Sequence, residues 1–307
     1  MSYFLPEGEL INTEENQLYI NNPDKLREAM SKRRILEARA ETCDREHNLH
    51  LRLGDMNAVI PREEGAVGIR EGTVRDIAII SRVNRPVCFV VTDITEDGDG
   101  EPLAVLSRAQ AQRICCENYI DTLIAGDVID AKVSRLETFG VFADIGCGIA
   151  ALMPIDTISV SRIEHPRERF TAGMNIKAVI KSIDGGRISL SHKELLGTWE
   201  QNAARFSQGE TVTGIVRSVE SYGSFVELAP NLAGLAETRD GITEGMRVSV
   251  YIKSIIERKM KIKLIIIDAF DDREPPKTPE YFISSGHIDR FVYSPEECPR
   301  LIMTEFE

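Results

Sequence analysis

Residues 139–142 read Phe-Gly-Val-Phe, inside an apolar run that continues through Asp144 and Ile145. Side chains of a strand alternate between two faces. Val141, Ala143 and Ile145 then share the core side, and Phe142 shares the other side with Asp144. A ring on an open sheet face can stack with any nucleobase, a contact worth about 1–3 kcal/mol per base. Phe139 would point to the opposite face of a regular strand, so Gly140 predicts a bulge or turn that brings both rings to one side. Lys132, Arg135, Lys181 and Arg187 are the nearby cations that can meet phosphates. The competing reading puts one of the two rings in the core.

These residues belong to a repeat. GDVIDAKVSRLETFGVFADI, from Gly126, aligns with GETVTGIVRSVESYGSFVEL, from Gly209, at a constant offset of 83. Phe139 then matches Tyr222, and Phe142 matches Phe225. From GMNIKAVIKSI (Gly173) against GMRVSVYIKSI (Gly245) the offset is 72, so the later copy lacks 11 residues between its third and fourth strands. A fainter copy comes first. HNLHLRLG, from His47, lines up with FGVFADIG and sets His47 and His50 at the positions of Phe139 and Phe142. Residues 62–84 form its long connection. Each full copy reads as five short strands over about 65–70 residues, the size of an OB-fold barrel.

The expected fold is therefore mainly β, with three tandem five-stranded OB-fold barrels joined by helical linkers. The expected order is an N-terminal arm (1–31), a degenerate barrel (32–113), a helical linker (114–122), a barrel (123–193), a second helical linker (194–204), a shortened barrel (205–268) and an acidic C-terminal extension (269–307). Ser191 and Glu194 have capping-box spacing at the second linker, where the lone Trp199 reads as a packing residue. The extension opens with the acidic, proline-broken DDREPPKTPEY and continues as YFISSGHIDRFVYS, which reads as a hairpin around Ser284–Gly286 docked on a barrel.

The net charge of −12 is unevenly spread. Residues 1–31 carry 2 basic and 6 acidic side chains, and residues 268–307 carry 4 and 10. The barrels are near neutral, so phosphate neutralisation alone would bind weakly and stacking must contribute much of any affinity. The six cysteines form no CxxC pair and read as reduced thiols. With no signal-like N-terminus and no long apolar run, a cytoplasmic protein without membrane association is expected. No phosphate-cradling glycine motif, nucleophile elbow or paired-carboxylate scaffold is present, so neither enzyme activity, a cofactor nor a metal is expected. The turn Asp93–Glu101 reads as a solvated hairpin tip rather than a cation loop.

GDVIDAKVSRLETFGVFADIG, ALMPIDTIS and GMNIKAVIKSIDGGRISLSHK together resemble the S1 RNA-binding domain, the OB-fold module repeated in ribosomal protein S1. The likeness is full-length over 126–193, eroded over 209–267 and weak over about 32–110 as an isolated domain. PREEGAV…AIISRVNRPVCFVV…VLSRAQAQ and GHIDRFVYSPEECPRLI extend it to short S1-like proteins of clostridial-type bacteria. The resemblance implies an RNA surface of two aromatics, a histidine after strand three, and an aspartate and an arginine from the last hairpin. In 126–193 these are Phe139, Phe142, Asp184 and Arg187, with Pro154 at the histidine position. In 209–267 they are Tyr222, Phe225 and Lys261, with Glu237 at the histidine position. In the first copy they are His47 and His50, for which ordinary surface histidines are the competing reading. Tyr222 and Phe225 compete likewise with burial under a neighbouring domain.

The implied function is capture of single-stranded mRNA at the small ribosomal subunit in translation. The alternative is a protein-interaction adaptor for a ribosome or RNA-degrading complex, in which only the central barrel touches RNA.

Overall fold

The computed structural model describes residues 4–270 and 275–306, so the acidic start of the C-terminal linker (271–274) lies outside the described residues. Two compact units are present. One comprises the chain up to Leu123 with Asp144–Ala150, and the other Ile124–Ala143 with the chain from Ala151 onward.

The N-terminal arm of the first unit folds into two helices, α1 (Glu14–Ile20) and α2 (Pro23–Ser31). Thr13 and Asn22 cap them by accepting from backbone N–H groups of the first turn, and Pro23 occupies a first-turn position where no N–H is missed. Strands β1 (Leu36–Cys43), β2 (Leu49–Leu53), β3 (Met56–Ile60), β4 (Pro86–Glu96) and β5 (Pro102–Ser107) close a barrel in the order β1-β2-β3-β5-β4. Leu49, Leu51 and Leu53 face its core, as the alternation predicts, and Tyr19, Ile20, Leu26 and Ala29 of the arm join the same cluster. The arm is thus part of the hydrophobic core. The β3–β4 connection carries the short helix α3 (Ile77–Ile80). Helix α4 (Arg108–Asn118) follows β5 directly from its Ser107 cap, so the first linker begins earlier than residue 114.

The second unit contains two more barrels. Strands β6 (Val128–Glu137), β7 (Gly140–Asp144), β8 (Ala150–Pro154), β9 (Asn175–Asp184) and β10 (Arg187–Ser191) close with the order of the first barrel. The next stretch is not one helix. Ser191 ends β10 and its hydroxyl donates to Glu194, a 3₁₀ turn covers Lys193–Leu196, and α5 (Trp199–Ala203) has its own capping box from Thr198 and Gln201. Trp199 is buried in the core of the third barrel. That barrel, β11 (Thr211–Glu220), β12 (Gly223–Ala229), β13 (Leu232–Ala236), β14 (Arg247–Ile256) and β15 (Lys261–Phe270), repeats the same order. The C-terminal extension forms a hairpin of β16 (Arg290–Val292) and β17 (Met303–Glu305). It lies further along than the Ser284–Gly286 turn expected, and Ile288, Phe291, Tyr293 and Phe306 join the third barrel's core. Among the described residues no helix is long and apolar enough to cross a membrane.

His192, 1% exposed, ties the extension to the second barrel. Its Nδ1 lies 2.9 Å from the Ile158 carbonyl and its Nε2 3.2 Å from the Tyr281 hydroxyl. The Tyr281 hydroxyl also accepts from the Lys177 N–H at 3.0 Å. These partners suit a neutral imidazole that donates from Nδ1 and accepts at Nε2. Burial, reinforced by the Arg169 cation, pulls His192 down to about 4 from 6.5, against the Ile158 hydrogen bond. The unfolded chain therefore binds a proton between pH 6.5 and about 4 that the folded chain refuses, and stability falls as pH drops through that window. The expected loss at its acid end is about 3 kcal/mol. His192→Gln is expected to flatten this slope, read as the urea midpoint of unfolding from pH 7 to pH 4. An unchanged slope overturns the assignment.

Candidate nucleic-acid interface

The aromatic pair of the second barrel is built by a tight hairpin. β6 ends at Glu137 and β7 begins at Gly140, so Phe139 sits in the two-residue turn. Neither strand's alternation constrains it. The Phe139 and Phe142 rings meet edge to face, with centroids 6.1 Å apart and planes at 87°. Phe139 is 54% exposed. Phe142 is half-buried, with the Arg135 guanidinium 4.8 Å over its ring. Arg135 also pairs with Glu137 at 3.0 Å.

Of the bulge or turn expected at Gly140 the structure has the turn, directly before it, and the glycine has a further role. A Cβ there would lie 2.3 Å from the Met153 carbonyl oxygen, so the glycine allows the β8 backbone to approach. Gly223, its counterpart, meets the Ala236 carbonyl oxygen at the same 2.3 Å.

Asp144 does not lie on an open charged face. It is 8% exposed and accepts from the backbone N–H groups of Glu7 (2.8 Å), Gly146 (2.9 Å) and Gly148 (3.0 Å). Burial, then the Glu7 carboxylate, push its carboxyl up to about 6 despite these donors. Its counterpart Glu227 is also buried, between Arg217 (2.8 and 3.1 Å) and Arg169 (2.5 Å). In both copies the charge beside the second aromatic is a structural acceptor.

The β9–β10 hairpin places the remaining cations. Its Gly185–Gly186 turn, with φ of 53° and 79°, sets Asp184 and Arg187 opposite one another. Ser182 pairs with Ser189 and Ile180 with Leu190, which leaves Lys181 as the extra residue of a bulge. Neither Lys181 nor Arg187 has an ion-pair partner among the described residues. Lys132 lies opposite Asn175, at the far end of β9, and so stands apart from this group.

In the third barrel Tyr222 and Phe225 repeat the edge-to-face pair at 6.3 Å, and they are 64% and 37% exposed. Burial under a neighbour is therefore not their state. Phe225 lies in a cross-strand row with Ser218, Leu235, Lys263 and Ser254. Ser218 stands where the second barrel has Arg135, so among the described residues no guanidinium lies over the Phe225 ring. Lys261 lies opposite Ile256, which takes the place of Asp184. Lys253 is the bulge residue, and it pairs with Glu237 at 3.5 Å. Sequence reading missed Lys253 and Lys263. Lys253 is the counterpart of Lys181 at the offset of 72, a signal the repeat already carried, whereas Lys263 aligns with Ser189 and its place follows only from strand register.

The first barrel differs. His47 lies 3.2 Å from Asp76, and His50 lies 2.9 Å from Asp44. Asp76 also pairs with Arg62, and hydrogen bonds from His50 and then Asn48 hold Asp44 down to about 2. These fixed carboxylates oppose a phosphate at that face. The Asp93–Glu101 turn folds on itself, with Asp97 Oδ1 accepting from the N–H groups of Asp99 and Glu101. Among the described residues no three His, Cys, Asp or Glu side chains are grouped as a metal would require.

The Gly140 contact is testable by stability. Gly140→Ala is expected to cost at least about 2 kcal/mol, because a backbone carbonyl cannot move aside without breaking the ladder. Denaturant unfolding measures it, and a loss below 0.5 kcal/mol (about the noise of a surface change) contradicts the steric account.

Residues 122–193 match the S1 RNA binding domain family. The small ribosomal subunit protein bS1 of Staphylococcus epidermidis is 31% identical over 248 residues, covering 69% of this chain and 62% of that protein. For Staphylococcus aureus bS1 the identity is 29% over 273 residues, covering 76% and 69%. The bS1 homolog of Bacillus subtilis is 32% identical over 191 residues, covering 58% and 48%. The chain thus spans less than two thirds of the length of the first of these relatives. With the S1 match at its centre, the same closed barrel repeated on either side and these relatives over most of its length, the chain belongs to the ribosomal protein S1-like family of tandem S1-domain proteins.

Proposed function

We propose that this chain binds single-stranded RNA, chiefly through its second barrel, and captures mRNA at the small ribosomal subunit. The observation that carries this reading is the exposed edge-to-face pair Phe139–Phe142 beside the Arg135 guanidinium. Phe139 offers an open ring to a base, and Arg135 offers a second flat cationic surface. Lys181 and Arg187 supply phosphate contacts, and Asp184 accepts from base or sugar groups. The third barrel serves as a weaker site through Tyr222, Phe225, Lys261 and Lys263. The ribosomal half of the proposal draws on the relatives, which are named as small-subunit proteins.

The carboxylates that hold His47 and His50 favour a different role for the first barrel, which we assign to protein contact. Co-sedimentation of the chain with small subunits, with and without residues 4–123, tests that division. Retained sedimentation without these residues contradicts it.

The double substitution Phe139→Ala with Phe142→Ala is expected to weaken binding to a single-stranded RNA at least tenfold, about 1.4 kcal/mol. The melting temperature should hold, since both rings lie outside the core. Unchanged affinity by fluorescence anisotropy rejects the site. Glu237→Gln releases Lys253 from its ion pair. The expected result is tighter RNA binding and a salt slope steeper by about 0.7, one added phosphate contact. A slope equal to wild type removes Lys253 from the RNA path.

A further inference from the structure

Asn231, in the β12–β13 turn, is fully buried, and four groups converge on it. Its Oδ1 accepts from the Val160 N–H at 3.0 Å. Its Nδ2 donates to the carbonyls of Lys193 (2.7 Å) and Gly197 (2.9 Å). Its own carbonyl accepts from the Tyr293 hydroxyl at 2.6 Å. The preceding Pro230 carbonyl accepts from the Ser161 N–H at 3.0 Å. One turn of the third barrel thus holds the β8–β9 connection of the second barrel, the linker between them and the C-terminal extension. Both the oxygen and the nitrogen of the buried amide are hydrogen-bonded, so displacing the turn leaves buried polar groups unpaired.

The β8–β9 connection, residues 155–174, is the segment that is shortened in the third barrel, where residues 237–246 take its place. At its start the Ile155 N–H donates to the Phe139 carbonyl at 3.0 Å. Further on, Glu168 pairs with Arg217, Arg217 with Glu227, and Glu227 with Arg169. Glu227 is two residues along β12 from Phe225, and Arg217 precedes Ser218, which lies opposite Phe225. The same connection therefore begins at the backbone of one aromatic pair and ends at the neighbours of the other.

We propose that the second and third barrels form one composite RNA site, in which the 155–174 connection, locked by Asn231, holds the two aromatic pairs at a fixed spacing. This rests on the RNA reading above and adds to it. An RNA that reaches both pairs binds the second intramolecularly, with no search over barrel orientations. Asn231 is then a positioning residue that touches no RNA itself.

The test compares two RNAs on the full chain, one of about 6 nucleotides, within a single barrel's reach, and one of about 30, enough for two. In wild type the long RNA is expected to bind at least about 30-fold more tightly than the short one. Asn231→Ala should cut that ratio at least fivefold while changing short-RNA affinity less than twofold. Nitrogen relaxation should show the two barrels tumbling as one body in wild type and separately in the variant. Should Asn231→Ala fail to fold, the double substitution Glu168→Gln with Arg169→Gln, which removes both ion pairs of the connection and leaves Glu227 paired to Arg217, carries the same expectation. A long-to-short ratio unchanged in the folded variant overturns the composite site, as does joint tumbling in wild type without a long-RNA advantage. Wild type that binds neither RNA rejects the RNA reading instead, and with it this proposal.

Discussion

A backbone contact governs the geometry of the aromatic faces. At Gly140 and again at Gly223 the carbonyl oxygen of the adjoining strand comes so close that no side chain fits. This closeness pins the hairpin between the first two strands against the third. The turn residue then has one place to go, outward, beside the aromatic two positions into the strand. The edge-to-face geometry of both pairs follows from that constraint more than from attraction between the rings. Their mutual contact adds only about 0.5–1.5 kcal/mol.

The second and third barrels share this hairpin, the first has a five-residue turn with Asn48 at the glycine position, and all three have diverged through their charges. The second barrel sets Arg135 over its inner ring and leaves Lys181 and Arg187 unpaired among the described residues. The third replaces Arg135 with Ser218 and engages its bulge lysine with Glu237. In the first, both ring positions are histidines bound to aspartates. One backbone plan therefore runs from an open cationic face to one already occupied by its own carboxylates.

Much of this was legible in the sequence. The repeat exposes the barrels, and the alternation of Leu49, Leu51 and Leu53 identifies a core face that the structure retains. Asp144 shows where such reading stops. Alternation sorts side chains into two faces but does not say whether the outer face meets water or protein, and Asp144 meets the backbone of Glu7. Asn231 is hidden for a similar reason, because its partners lie 34 to 71 residues away in sequence. The arm helices were readable in principle from their caps, Thr13 and Asn22, yet each is too short for a clear periodic pattern. The repeat pairs Lys181 with Lys253, but the bulge that turns each of them outward from its ladder leaves no local mark.

The position of Phe139 in a turn has a consequence for how such a protein changes over time. A residue inside a strand is committed to the pairing of its neighbours, and replacing it risks the sheet. A turn residue with an outward ring carries no such obligation. Phe139 and Tyr222 fill the same place in two-residue turns, and His47 stands at the aligned position of a longer turn, while the barrel around each stays closed in the same strand order. Recognition in this fold can therefore drift or specialise at that site with little effect on foldability.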